Sequence, residues 1–125
     1  MEKSYLIVGS VFVLFSIVLG AFGSHALRPL LPDTSFYGYT VATQYLAFQG
    51  LSLLILGALT GTYQISSAVF YCLFAGTLLF SGSILLLTVG KLWNWKLAFL
   101  GPVTPLGGLV LIVGWIWLIQ GLIRL

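Results

Sequence analysis

The residues able to do chemistry in this chain are few and scattered. They are His25, Gln44, Tyr45, Gln49, Ser81, Ser83 and Thr104, with Cys72 alone and Glu2 and Asp33 as the only acids. One histidine and one cysteine cannot complete a zinc or iron site within a single chain, so neither a metal centre nor another cofactor is expected. No two carboxylates stand together for acid/base work or for a hard cation. Ser81-Gly82-Ser83 lacks a second histidine or an acid nearby to make a nucleophile of either hydroxyl. Enzymatic activity is therefore not expected. Hydrogen bonding is what these side chains can do. In apolar surroundings Gln, Ser, Thr and His tie helix to helix, each contributing about 0.6–2 kcal/mol, or they turn to a cavity where they hold a polar ligand.

The elements that must position them are apolar throughout. Four long stretches, near residues 5–23, 40–60, 68–90 and 97–122, dominate a chain whose hydrophobic residues make up 60% and whose charged residues make up 6%. A hydrocarbon layer of roughly 30 Å needs about 20 such residues at about 1.5 Å rise each. Backbone groups in lipid must bond within their own segment, so each stretch is a helix unless the chain closes into a barrel. A barrel requires alternation, and Ile84 to Leu87 or Leu109 to Val113 do not alternate. The expected fold is all-α: a single transmembrane domain over 1–125, an integral membrane four-helix bundle with a short interfacial segment after the first helix. Such a chain sits in the cell (inner) membrane as a multi-pass protein, and its first partner is the lipid bilayer. The first apolar run exceeds the roughly 7–15 residues of a cleaved signal and reads as a retained helix. Lone Cys72 permits no intrachain disulfide and reads as a small packing residue.

Net charge is +3, carried by Lys3, Arg28, Lys91, Lys96 and Arg124, and these lie singly. Scattered cations at span ends anchor to headgroups and give no basic run for nucleic acid. Arg28, Lys91 and Lys96 share one side of the membrane against Lys3 and Arg124 on the other, which favours both termini outside by a single charge. Trp93 and Trp95 mark a water interface, since indole rings favour the headgroup level.

Small residues recur at every seventh position: Gly9, Ser16 and Gly23; Thr43, Gly50 and Gly57; Gly76, Ser83 and Gly90; Gly107, Gly114 and Gly121. In lipid, burial cannot drive helix association, so close backbone approach at such residues must do so. A seven-residue period holds its stripe on one face when helices cross left-handedly near +20°. Gly57, Gly61, Gly107, Gly114 and Gly121 are the expected packing glycines, and Gly57 with Gly61 forms a GxxxG that suits contact within or between protomers.

Two connections carry the prolines. After the first span, the segment from Gly23 to Asp33 reads as a short interfacial turn or helix, with Asp33 or Thr34 capping the second helix. In Gly101-Pro102-Val103-Thr104-Pro105-Leu106-Gly107-Gly108, Thr104 is pushed toward extended geometry, so the last continuous helix is expected to start at Pro105 with Thr104 as its cap. Topology brings the first and third connections to one side. Tyr37, Thr40 and Gln44 fall on one face of the second helix and Tyr45, Gln49 and Ser52 on the next, which predicts a shallow polar site. There His25, Gln44, Tyr45, Gln49 and Thr104 would face each other, with Ser81 or Ser83 contributing and the start of the last helix adding free N–H groups.

Gly20 to Leu27 (GAFGSHAL), Gln44-Tyr45 ahead of Leu51, Leu53 and Leu54, Leu79-Phe80-Ser81-Gly82-Ser83, and Val103 to Gly108 followed by Gly114-Trp115 resemble the small four-span inner-membrane family known as domain of unknown function four-two-three. The resemblance runs over nearly the whole chain, in order and with matching spacing. It implies a fold class and a membrane location but no settled activity. Many members carry a histidine where this chain has Gln49, so chemistry needing two imidazoles, such as bis-histidine haem ligation, does not transfer.

Two functions remain. The first is a non-catalytic membrane module, acting as a homo-oligomer or as the small partner of another membrane protein. The alternative is a small carrier or channel for a neutral or weakly anionic solute or lipid, using the polar site near His25, Gln44, Gln49 and Thr104.

Overall fold

A computed structural model describes residues 1–125 and contains four long helices and no strand. Helix α1 spans Glu2–Phe22, α2 Asp33–Leu59, α3 Ser67–Leu92 and α4 Val103–Ile123. Each is long and apolar enough to cross a membrane. Between α1 and α2 the chain winds through a π turn, Gly23–Leu27, and a 3-10 turn, Arg28–Leu30, which together are the interfacial segment.

The prolines act a little differently from expectation. Helix α2 starts at Asp33 with Pro32 before it and no side-chain cap, so Asp33 serves the first turn through its charge rather than by capping. Helix α4 starts at Val103, two residues ahead of Pro105, and has no side-chain cap. Pro105 is tolerated there because first-turn N–H groups have no intrahelical partner to lose. Thr104 lies inside the helix and its hydroxyl is used elsewhere. Ser66 does cap α3, accepting from Ala68 N at 3.3 Å. Asn94, at φ 54, reverses the chain after α3 and separates the stacked Trp93 and Trp95 rings.

The helices pack in chain order, α1 on α2, α2 on α3 and α3 on α4, which leaves α1 and α4 outermost and least buried. Glycines set the two tightest seams. A methyl carbon on Gly57 would stand 2.8 Å from Tyr5 Cβ, one on Gly9 would stand 3.0 Å from Leu54, and one on Gly50 would stand 2.9 Å from Phe12 Cβ. In the second hairpin the corresponding separations are Gly114 to Cys72 Cβ at 2.7 Å, Gly76 to Leu111 at 2.9 Å, and Gly107 to the Leu79 carbonyl carbon at 2.8 Å. The spacing along both helices is the same in the two sets. The molecule is thus a tandem of two similarly locked hairpins running the same way through the membrane, a parallel repeat.

Larger side chains fill the wider gaps. Phe12 stacks with Phe74 at 6.0 Å and Tyr5 meets Phe70 edge-on at 5.0 Å, which ties α1 to α3. Tyr45 meets Phe80 at 4.8 Å, which ties α2 to α3. The main core gathers Tyr5, Phe12, Leu46, Leu53, Leu73 and Leu111 among others. A second small cluster of Leu27, Leu31 and Tyr39 seats the interfacial segment on α2.

Two of the five expected packing glycines do not pack within the chain. Gly61 and Gly121 have nothing within 4 Å of an added methyl, because each lies at or just past the end of its helix, beyond the seam. Gly57, Gly107 and Gly114 do pack.

Candidate functional site

The polar side chains form separate links rather than one pocket. Near the middle of α2 and α4, Trp115 Nε1 donates to Gln49 Oε1 at 3.2 Å. Gln49 is buried, and this bond spans the gap between the two helices. Closer to the first turn of α4, the Ser83 and Thr104 hydroxyls bond to each other, and Ser83 also donates to the Phe80 carbonyl at 3.0 Å. Ser81, two residues before Ser83 and so on the other side of the same helix, is fully buried with an unbonded Oγ. At the membrane edge Lys91 Nζ donates to buried Ser35 Oγ at 2.8 Å, so the last turn of α3 holds the first turn of α2. The Arg28 guanidinium lies 5.4 Å above the Phe36 ring, a cation–π contact that fastens the 3-10 turn.

His25 does not join these groups. It sits exposed on the π turn, and Gln44 is also exposed. The first connection is held by Tyr39 instead, whose hydroxyl donates to the Leu19 carbonyl. A methyl on Gly23 would meet the Tyr39 ring at 2.3 Å, so this glycine exists to admit that ring. The seven polar residues that the sequence places at one level thus divide. Ser83 bonds Thr104; Gln49 takes Trp115; Tyr45 stands 36% exposed against Phe80. The reason is angular, because Gln44 and Gln49 lie about 140° apart round α2, so a rotation that buries one exposes the other.

Sequence reasoning missed Trp115, Tyr39 and Gly108. Trp115 stands in a run of apolar residues, and nothing in its type shows that its N–H meets an amide. A groove of about 350 Å³ lies between α2 and α4, lined by Tyr45, Gln49, Phe80, Gly108, Leu111 and Trp115 with isoleucines at its rim. No three His, Cys, Asp or Glu side chains gather where a metal ion could be held.

Four spanning helices joined by short turns define a polytopic helical membrane protein. The chain belongs to the family described as protein of unknown function (DUF423), whose model matches residues 19–108. It is similar to a UPF0382 membrane protein of Staphylococcus aureus strain bovine RF122, 36% identical over 118 residues, covering 94% of this chain and 93% of that one. It is also similar to the UPF0382 membrane protein YwdK of Bacillus subtilis strain 168, 32% identical and covering 98% of both chains, and to a UPF0382 membrane protein of Staphylococcus haemolyticus, 36% identical. No solved structure matches. Family and fold agree that this is a membrane protein.

Proposed function

We propose that the protein is a non-catalytic module of the cell's inner membrane that works as a homo-oligomer or as the small subunit of a larger membrane assembly. The observation that carries this reading is the tandem repeat. Within the chain, α2 of the first hairpin packs on α3 of the second. The counterparts of those two faces are on α4 and α1, and they are left open: Leu106 and Leu109 on α4, and Leu6 and Ser10 on α1, are exposed. Setting α4 of one copy against α1 of the next would repeat the internal joint. Helix association in lipid then gains close contact without any new kind of interface. The carrier reading is weaker, because Gln49, Ser83 and Thr104 spend hydrogen bonds on helix partners and His25 stands apart from them.

Disulfide trapping in native membranes tests the proposal. In a Cys72→Ser background, Ser10→Cys with Leu106→Cys, and Leu6→Cys with Leu109→Cys, which repeat the register of Tyr45 with Phe80, should yield crosslinked dimers and higher species, and each single-cysteine control should not. Native mass spectrometry should find either a defined oligomer or a stoichiometric unlike membrane protein. A lone monomer by both methods overturns the proposal.

A further inference from the structure

The tandem arrangement leaves a groove on each side of the molecule, and only one is equipped to hold anything but an acyl chain. The groove between α1 and α3, about 360 Å³, is lined by Phe12, Phe15, Leu46, Phe74, Thr77 and Leu85 among others, and the Thr77 hydroxyl is already given to the Leu73 carbonyl. The groove between α2 and α4, about 350 Å³, is lined by Gln49 and Tyr45, the residues beside it that carry an amide and a hydroxyl. Gln49 is 7% exposed. Its orientation is fixed by Trp115, because an indole N–H can only donate and so must meet Oε1. The Nε2 group is therefore turned away from Trp115, and neither it nor the Tyr45 hydroxyl has a hydrogen-bond partner in the protein. A donor left in hydrocarbon is costly.

Depth and shape narrow the occupant. Gln49 lies near the midpoint of its apolar span and Trp115 within a turn of the centre of α4, so the donors stand near the bilayer midplane. Phospholipid ester carbonyls stay at the interface, about 15 Å away in a hydrocarbon layer of roughly 30 Å. The rings of Tyr45, Phe80 and Trp115 favour a flat partner, and the volume suits a small ring system. We propose that this groove binds an uncharged, lipid-soluble ring compound bearing a carbonyl acceptor, of quinone type, which takes the free N–H of Gln49 and the Tyr45 hydroxyl and lies against Trp115. Gly108 leaves the floor open for it. A methyl there would meet only the Phe80 ring, at 3.7 Å, so a larger side chain at this position fills the groove without forcing the helices apart. This binding does not depend on oligomer formation.

The test uses full-length protein carrying Trp93→Phe, Trp95→Phe and Trp117→Phe, which leaves Trp115 as the sole indole reporter, with decylubiquinone as the probe in detergent. Saturable quenching of Trp115 is expected. Gly108→Leu should weaken it at least tenfold and Gln49→Met about fivefold to tenfold, with thermal stability of Gly108→Leu close to the parent. Decylbenzene, which lacks an acceptor and does not quench, should relieve the quenching only at concentrations at least tenfold above those at which the quinone saturates it. Quenching that rises linearly without saturation, or both variants indistinguishable from the parent, overturns the proposal, and so does equal competition by decylbenzene. If Gly108→Leu proves unstable, the Gln49→Met comparison decides alone.

Discussion

Substituting alanine at Gly107 sets helix propensity against helix contact, and the structure says which wins. A methyl carbon there would stand 2.3 Å from Phe80 N and 2.8 Å from Phe80 Cα, both backbone atoms that cannot swing aside. Reaching ordinary contact at 3.4 Å requires α4 to retreat from α3 by about 1 Å. Such a gap forfeits a quarter to a half of each dispersion well along the seam, and with roughly 30 atom pairs at about 0.15 kcal/mol the loss is about 1–2 kcal/mol. Residual strain from overpacking adds about 1–3 kcal/mol. Alanine returns at most about 1 kcal/mol in helix propensity. Gly107→Ala should therefore destabilise by about 2 kcal/mol, measured by reversible unfolding in mixed detergent micelles. Gly121→Ala, with nothing within 4 Å, feels only propensity and should be neutral or more stable. Equal stability of the two variants, or a gain at Gly107, would refute the argument that backbone contact at these glycines holds the hairpin together.

Other outcomes follow from individual contacts. Gly23→Ala should destabilise by about 2 kcal/mol in the parent and by less in a Tyr39→Ala background, since the clash is with that ring; a double-mutant cycle reads the coupling. Ser83→Ala and Thr104→Val should show a coupling of about 0.6 kcal/mol, the usual value for a hydrogen bond between membrane helices, and additivity would show the pair idle. Lys91→Met leaves buried Ser35 Oγ without its donor and should lower stability by about 1 kcal/mol, with partial recovery in Lys91→Met/Ser35→Ala. His25→Ala should leave thermal stability within about 0.5 kcal/mol of the parent, because the ring is exposed and joins no link.

Much of this architecture is written along the chain, and for a simple reason. Lipid supplies no hydrogen bonds, so a run such as 68–90 has no alternative to a helix, and its length decides that it spans. Four spans, short turns, cations at the ends and paired indoles at an interface all follow from composition in order. So does the importance of Gly57, Gly107 and Gly114, since small residues are what lipid-embedded helices need in order to meet. The repeat was present too, in the matched spacing of Gly50 with Gly57 and Gly107 with Gly114, but spacing alone does not say which partner each glycine meets.

What only the folded structure decides is direction. Gln49 and Gln44 are close in sequence but about 140° apart round the helix, and the rotation of α2 in the bundle sends one inward to Trp115 and leaves the other facing out. Pro105 likewise reads as a helix start and is instead absorbed in the first turn of α4, whose origin at Val103 was free to move because those N–H groups need no partner. The exposed position of His25 depends on a π turn that Gly23 permits and the Tyr39 ring shapes, a contact between residues that no local pattern connects. Local chemistry dictates that this chain must be helices in oil; the rotation of each helix about its axis, set by which neighbours fit its glycines, decides what the polar groups can touch.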